Sequence, residues 1–149
     1  MNTDVYTPLR PAVPLAHLPP AEGEERFAER RRIVLMEPDP ALRSVLVRTL
    51  CRLGCIVSLK REPERVVESL GDSLTDGVVV ALDADLRWAA SLQSANRRQV
   101  PVVVLTYALP APGEAQKLAT VHFLRKPFDV GELFTHLHLP DKAQMVRGR

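Results

Sequence analysis

Five short aliphatic runs, Ile33 to Met36, Ile56 to Leu59, Gly77 to Leu82, Val102 to Leu105 and Val121 to Leu124, alternate with segments whose apolar residues recur every three or four positions. Strand and helix taken in turn are the signature of a parallel sheet covered by helices on both faces. The run from Gly77 to Leu82 is continuously apolar and rich in valine, as a central strand buried on both sides requires. The expected fold is therefore α/β: a doubly wound, flavodoxin-like sheet of five parallel strands in the order 2-1-3-4-5.

Local signals punctuate the helices. Asp39 is placed as an N-cap with Pro40 at the first helical position; Leu42, Val45, Leu46, Thr49, Leu50 and Leu53 trace one face, and Gly54 ends the helix. Pro63 opens a second helix burying Val66, Val67 and Leu70. A third runs from Leu86 to about Ala95 and carries Trp88, the single tryptophan, and Leu92. Pro110 and Pro112 leave only Gly113 to Leu118 for a stunted fourth helix, of about two turns at most. Asp129 and Glu132 make a capping-box-like start for the last helix, with Val130, Leu133, Phe134 and Leu137 inward and Pro140 as its stop.

The 149 residues suffice for a core without disulfides or metal. Three regions are expected: a disordered Pro-rich extension over 1–27, a folded domain over 32–139, and a basic tail over 140–149. The extension holds Pro8, Pro11, Pro14, Pro19 and Pro20 and then turns acidic at Glu22, Glu24 and Glu25. Lys+Arg number 20 against Asp+Glu 18, a net +2 that argues against a broad basic face for nucleic acid. Cys51 and Cys55 lack the further ligands of a zinc site and are read as buried thiols in a reducing compartment. His136 and His138 fall some 200° apart on a helix, which opposes a shared metal, and His122 is read as a surface residue. No apolar run approaches the roughly 20 residues that cross a bilayer, and no secretory signal opens the chain, so a cytoplasmic location is expected.

Ligands of such a sheet bind beyond the carboxyl ends of the strands, where strand order reverses. The segments there resemble the receiver domain of response regulators, the CheY-like family, over Arg32 to about Leu139. Arg-Arg-Ile-Val-Leu-Met-Glu-Pro-Asp (Arg31 to Asp39) resembles its opening strand and acidic corner. Pro-Val-Val-Val-Leu-Thr (Pro101 to Thr106) resembles its fourth strand and hydroxyl, and Phe-Leu-Arg-Lys-Pro-Phe (Phe123 to Phe128) its lysine-proline signature. The family accepts a phosphoryl group on an aspartate ending the third strand, beside Mg²⁺ held by neighbouring acids, a hydroxyl and a lysine. Mg²⁺ and the ammonium neutralise the oxygens of the transferred group. The resemblance thus implies Thr106 as the hydroxyl, Lys126 as the ammonium, Phe123 as the switching aromatic, and a cis bond between Lys126 and Pro127.

The acceptor itself is missing. The residue five positions after Asp76, where the family carries its aspartate, is Ala81, and a gapless count from Glu37 and Gly54 reaches the same alanine. At the metal corner Glu37 matches the first acid, Pro38 replaces the second, and Asp39 stands one position late, where it is also a complete helix cap. The resemblance is therefore to a degenerate, or pseudo-, receiver. Asp83 is the nearest substitute acceptor, but two residues of strand carry it about 6.6 Å beyond Ala81; together with Asp85 it reads as an acidic loop residue or cap. Glu37 and Lys126 are expected to form a fixed ion pair in an unused pocket.

The function expected is that of a stand-alone atypical receiver in two-component or phosphorelay signalling: a protein-interaction module, not an enzyme, with no cofactor. Its surface would be formed by the fourth helix, fifth strand and fifth helix, with Leu118, Val121, Phe123 and Arg125 as candidates. A signalling protein such as a histidine kinase, or a second copy bound through that face, would be the partner. The alternative is a phosphoryl-accepting regulator using Asp83 with Mg²⁺ at Glu37 and Asp39. Ranked last is a nucleic-acid-binding accessory protein using the arginines at 30 to 32, 97 to 98 and 147 to 149.

Overall fold

The structure, a computed structural model, describes residues 5–8, 30–82 and 86–139. In chain order the elements are β1 (Val5–Tyr6), β2 (Arg32–Met36), α1 (Pro40–Arg52), β3 (Ile56–Leu59), α2 (Pro63–Ser69), β4 (Gly77–Ala81), α3 (Leu86–Ala95), β5 (Val102–Thr106), α4 (Pro112–Lys117), β6 (Val121–Arg125) and α5 (Val130–His136). The sheet order is β1-β3-β2-β4-β5-β6. Its five long strands are all parallel and stand in the expected 2-1-3-4-5 order.

The sixth strand is the difference. Val5 and Tyr6 pair antiparallel with β3 at the sheet edge, so the expectation of a wholly disordered extension is corrected at these two residues. Two residues are too short to leave a period in sequence, and the edge of β3 offers free backbone groups that extended chain can satisfy. The remaining proline-rich stretch, 9–29, and the tail over 140–149 lie outside the described residues.

Strand alternation divides the core into two layers. On one face Ile33, Leu35, Val79, Val103, Leu105 and Leu124 meet Leu46 and Leu50 of α1 and Leu133, Phe134 and Leu137 at α5. On the other, Val34, Met36, Val78, Val80, Val102 and Val104 meet Val66 and Leu70 at α2 and Ala89 and Leu92 of α3. The helix ends are built as expected. The Asp39 carboxylate accepts from the Ala41 N–H at 3.0 Å, and Gly54, at φ +87°, ends α1. There the N–H groups of Gly54 and Cys55 return to the carbonyls of Cys51 and Leu50, both at 3.0 Å, the paired bonds of a Schellman stop. Val45, expected inward, is 48% exposed. The buried stripe centres on Leu46 and Leu50, and Val45 sits about 100° away from Leu46 on the helix.

The fourth helix is indeed stunted, starting on Pro112, and none of its residues is buried. Its position comes instead from Leu118, buried just beyond its end, and from Gln93 of α3. The Gln93 amide donates to the Lys117 carbonyl at 2.8 Å and accepts from the N–H and hydroxyl of Thr120 at 3.2 and 3.0 Å.

Candidate functional site

Register decides which residues meet at the carboxyl rim of the sheet. At the opposite rim Asp76 ties β4 to β2: its carboxylate accepts from the Arg32 N–H, and its own N–H donates to the Arg32 carbonyl, both at 2.8 Å. From that anchor Val80 stands opposite Met36 and Ala81 opposite Leu105, while Leu124 and Arg125 stand opposite Leu105 and Thr106. Glu37 and Ala81 therefore stand level with Leu105 and Leu124 at the ends of four adjacent strands, with Thr106 one residue and Lys126 two residues beyond that level at the same rim. Ala81 packs in the α1/α5 layer with Leu35 and Leu124, the layer toward which alternation also turns Glu37 and Lys126.

Glu37 and Lys126 join across that rim. The ammonium donates to both carboxylate oxygens, at 2.8 and 2.9 Å, and the side chains are only 0% and 6% exposed. The first oxygen also accepts from the Asp39 N–H at 3.3 Å. Lys126 follows directly on β6, its N–H donating to the Thr106 carbonyl at 2.7 Å, and its bond to Pro127 is cis. The Tyr107 ring lies over the ammonium at 5.0 Å from its centroid, a cation–π contact that further occupies the charge. The Thr106 hydroxyl turns into its own loop, donating to the Ala108 carbonyl at 3.0 Å and accepting from the Ala108 N–H at 3.2 Å.

The arrangement is closed chemically. No buried side-chain polar atom among the described residues lacks a hydrogen-bond partner. A divalent ion at this corner would need carboxylate oxygens free to coordinate. Those of Glu37 face an ammonium, and Asp39 is exposed, one oxygen of its carboxylate accepting the helix-cap bond. The described residues contain no group of three His, Cys, Asp or Glu placed to hold a metal. Asp83 and Asp85 lie outside the described residues.

The surface candidates separate. Leu118 and Val121, at 7% and 5% exposure, belong to the α2/α3 layer, which corrects their assignment to an interaction surface. Phe123 is half-buried against that layer, and Arg125 is exposed. The exposed apolar residues nearby are Tyr107 and Leu109, 60% and 53% accessible, neither of them among the expected surface residues. Their signal was legible as two large apolar side chains in the proline-bounded connection that follows β5.

His122, read as a surface residue, is exposed and stacks on His136 with ring centroids 4.8 Å apart. Partial burial, then the neighbouring His136 and His138, push its pKa below the ordinary 6.5. Both cysteines are free thiols. Cys51 is half-buried, and burial raises the pKa of Cys55 to about 11. Arg31 donates to the Leu137 carbonyl at 2.9 Å, and Arg98 to the carbonyls of Asp72 and Thr75 at 3.0 and 2.8 Å. Among the described residues no helix is long and apolar enough to cross a membrane.

No protein-family model matches the chain, and no curated protein is similar to it in sequence. Solved structures are similar in fold. A response regulator receiver protein from Sinorhizobium medicae superposes with a TM-score of 0.58 at 21% identity, covering 74% of this chain and 94% of that one. The HemR receiver domain from Leptospira biflexa, in its non-phosphorylated form, gives 0.60 at 23%, covering 73% and 92%. The receiver domain of a sensor histidine kinase from Pseudomonas aeruginosa, solved with magnesium in its active-site cleft, gives 0.56 at 24%, covering 73% and 95%. The fold is that of the CheY-like receiver domain.

Proposed function

We propose that this chain is a pseudo-receiver: a receiver fold that acts in two-component signalling through protein contact, without carrying a phosphoryl group. Ala81 supports this most directly. It ends β4 beside Glu37, at the rim that Thr106 and Lys126 also border, where the family resemblance calls for the attacking carboxylate. A methyl group has no oxygen to phosphorylate, and the Lys126 ammonium is already paired with Glu37.

A fixed ion pair also changes how the module is controlled. In a phosphorylated receiver the lysine and the hydroxyl would turn toward a newly bound anion, and the surrounding loops would follow. Here both groups are satisfied within the fold, so the connection from β5 to α4 is held in one arrangement. The contact face would then be constitutive, formed by Tyr107, Leu109, Phe123 and Arg125 and offered to a signalling protein in the cytoplasm.

Trp88, half-buried against the α2/α3 layer, reports on this reading. Adding Mg²⁺ and beryllofluoride, a phosphoryl mimic, is expected to leave its emission unchanged. A saturable change would show a competent acidic pocket and overturn the proposal.

A further inference from the structure

β1 makes the sheet one strand wider than its helical cover. α1 packs over β2 and β3, where Leu46 and Leu50 share a layer with Ile33, Leu35 and Val57. Tyr6 stands opposite Val57 and so turns to the same face, but it lies one strand farther out and stays 45% exposed. Between it and α1 an open groove of about 440 Å³ remains, a size that takes a few side chains. Tyr6 and Leu59 line it from the sheet, and Arg43, Ser44, Val47 and Arg48 from the helix.

Helical period gives this side of α1 its character. Residues 43, 44, 47 and 48 form one stripe, next to the buried stripe of Leu46 and Leu50. Arg43 stands only about 20° round the helix from Leu50 and is half-buried, its guanidinium donating to the Glu37 carbonyl at 3.2 Å. A carbonyl fixes the group without cancelling its charge. Arg48 is exposed and joins no ion pair among the described residues. α1 carries three arginines and no acidic residue, and no carboxylate lines the groove. Asp39, the nearest acid along the chain, caps the helix start and is not among the lining residues.

The groove on the other face of β1 differs. Its lining mixes both signs, Lys60 and Arg65 with Glu68 and Asp72, and Arg65 pairs with Glu68 at 3.1 Å. Charge therefore selects a partner on the α1 side alone.

We propose that the groove between α1 and β1 takes an extended segment of a partner protein in which acidic and apolar residues alternate. Alternate side chains of an extended chain stand about 7 Å apart on one side. Arg43 and Arg48 are separated by about 7.5 Å of helix rise, so two acids of the segment reach both guanidiniums while the apolar residue between them turns to Tyr6 and Leu59. The carboxylates supply recognition and the apolar contact supplies buried area. This surface lies at the sheet edge away from β6 and does not depend on whether Ala81 silences phosphorylation.

Fluorescence anisotropy of a labelled peptide tests this on the full chain. The probe is Glu-Leu-Glu-Leu-Glu between Gly-Ser ends, with fluorescein at its amino terminus. Saturable binding is expected at low salt, and Arg48→Glu, at an exposed position, should weaken it about tenfold. Tyr6→Ala should weaken it as well, while Arg97→Glu, at an exposed arginine beyond α3, should not. Exchanging the leucines for serine should remove most of the binding. No saturable binding, as expected if the chain fills the groove from within, overturns the proposal, and so does binding unchanged in Arg48→Glu. Equal binding of the serine peptide, or an equal loss in Arg97→Glu, would reduce the site to bare charge and overturns it too.

Discussion

Lys126 donates to both carboxylate oxygens of Glu37, at 2.8 and 2.9 Å, across 89 residues of sequence and with almost no exposure to water. The pair links the first and last long strands of the parallel sheet at the rim where a receiver would do its chemistry. Each charge depends on the other, because a lone ion in that setting has lost its water without gaining a partner.

Removing one partner should therefore cost much more than removing both. Glu37→Gln or Lys126→Met alone is expected to destabilise the fold by about 3–5 kcal/mol. The double variant Glu37→Leu with Lys126→Met should recover most of that loss, because apolar side chains of similar volume carry no desolvation cost. Urea denaturation of the three variants checks this; a double variant as unstable as the sum of the singles would contradict it.

Asp39 is expected to behave as a helix cap. Asp39→Ala should cost about 1 kcal/mol, with Asp39→Asn close to neutral, and neither effect should depend on Mg²⁺. Thermal melts with and without Mg²⁺ measure both. Stabilisation by Mg²⁺ that vanishes in Asp39→Ala would assign the carboxylate to a metal instead.

The stacked histidines should make stability depend on pH. With its pKa held below 6.5 in the folded state, His122 takes up a proton more readily in the unfolded chain. Its contribution is neutral well above 6.5, becomes destabilising as pH falls through that value, and levels off below the folded-state pKa. Between about pH 7.5 and about pH 5 the chain should thus lose more stability than His122→Asn does. Parallel profiles from denaturant titrations would remove the effect.

The thiols should differ in reactivity. Cys51 is half-buried at the end of α1, whereas Cys55 is 1% exposed with a pKa raised to about 11. Native protein at about pH 8 should react with a thiol reagent at Cys51 first, and at Cys55 only after denaturation, because the thiolate is the reactive form. Peptide mapping of the labelled protein distinguishes the two.

What was legible in the sequence was what local rules determine. The strand order, the Asp39 and Asp129 caps and the Gly54 stop follow from periodicity and from residues acting on neighbours a turn away. The Glu37 and Lys126 pair could be foreseen because each ends a strand whose place in the sheet was already implied. Contacts created by packing were not legible. Nothing near His122 announces His136, and the burial of Leu118 and Val121 depends on how α3 holds the β5–β6 connection through Gln93. β1 escaped notice because two residues have no period, and its partner strand lies beyond a long proline-rich stretch.

The proposal of a silent module stands on Ala81, and intact-mass spectrometry after incubation with acetyl phosphate and Mg²⁺ tests it most directly. The predicted spectrum is unchanged. A gain of one phosphoryl group, lost in Asp83→Asn, would contradict the account and make the chain a phosphoryl acceptor.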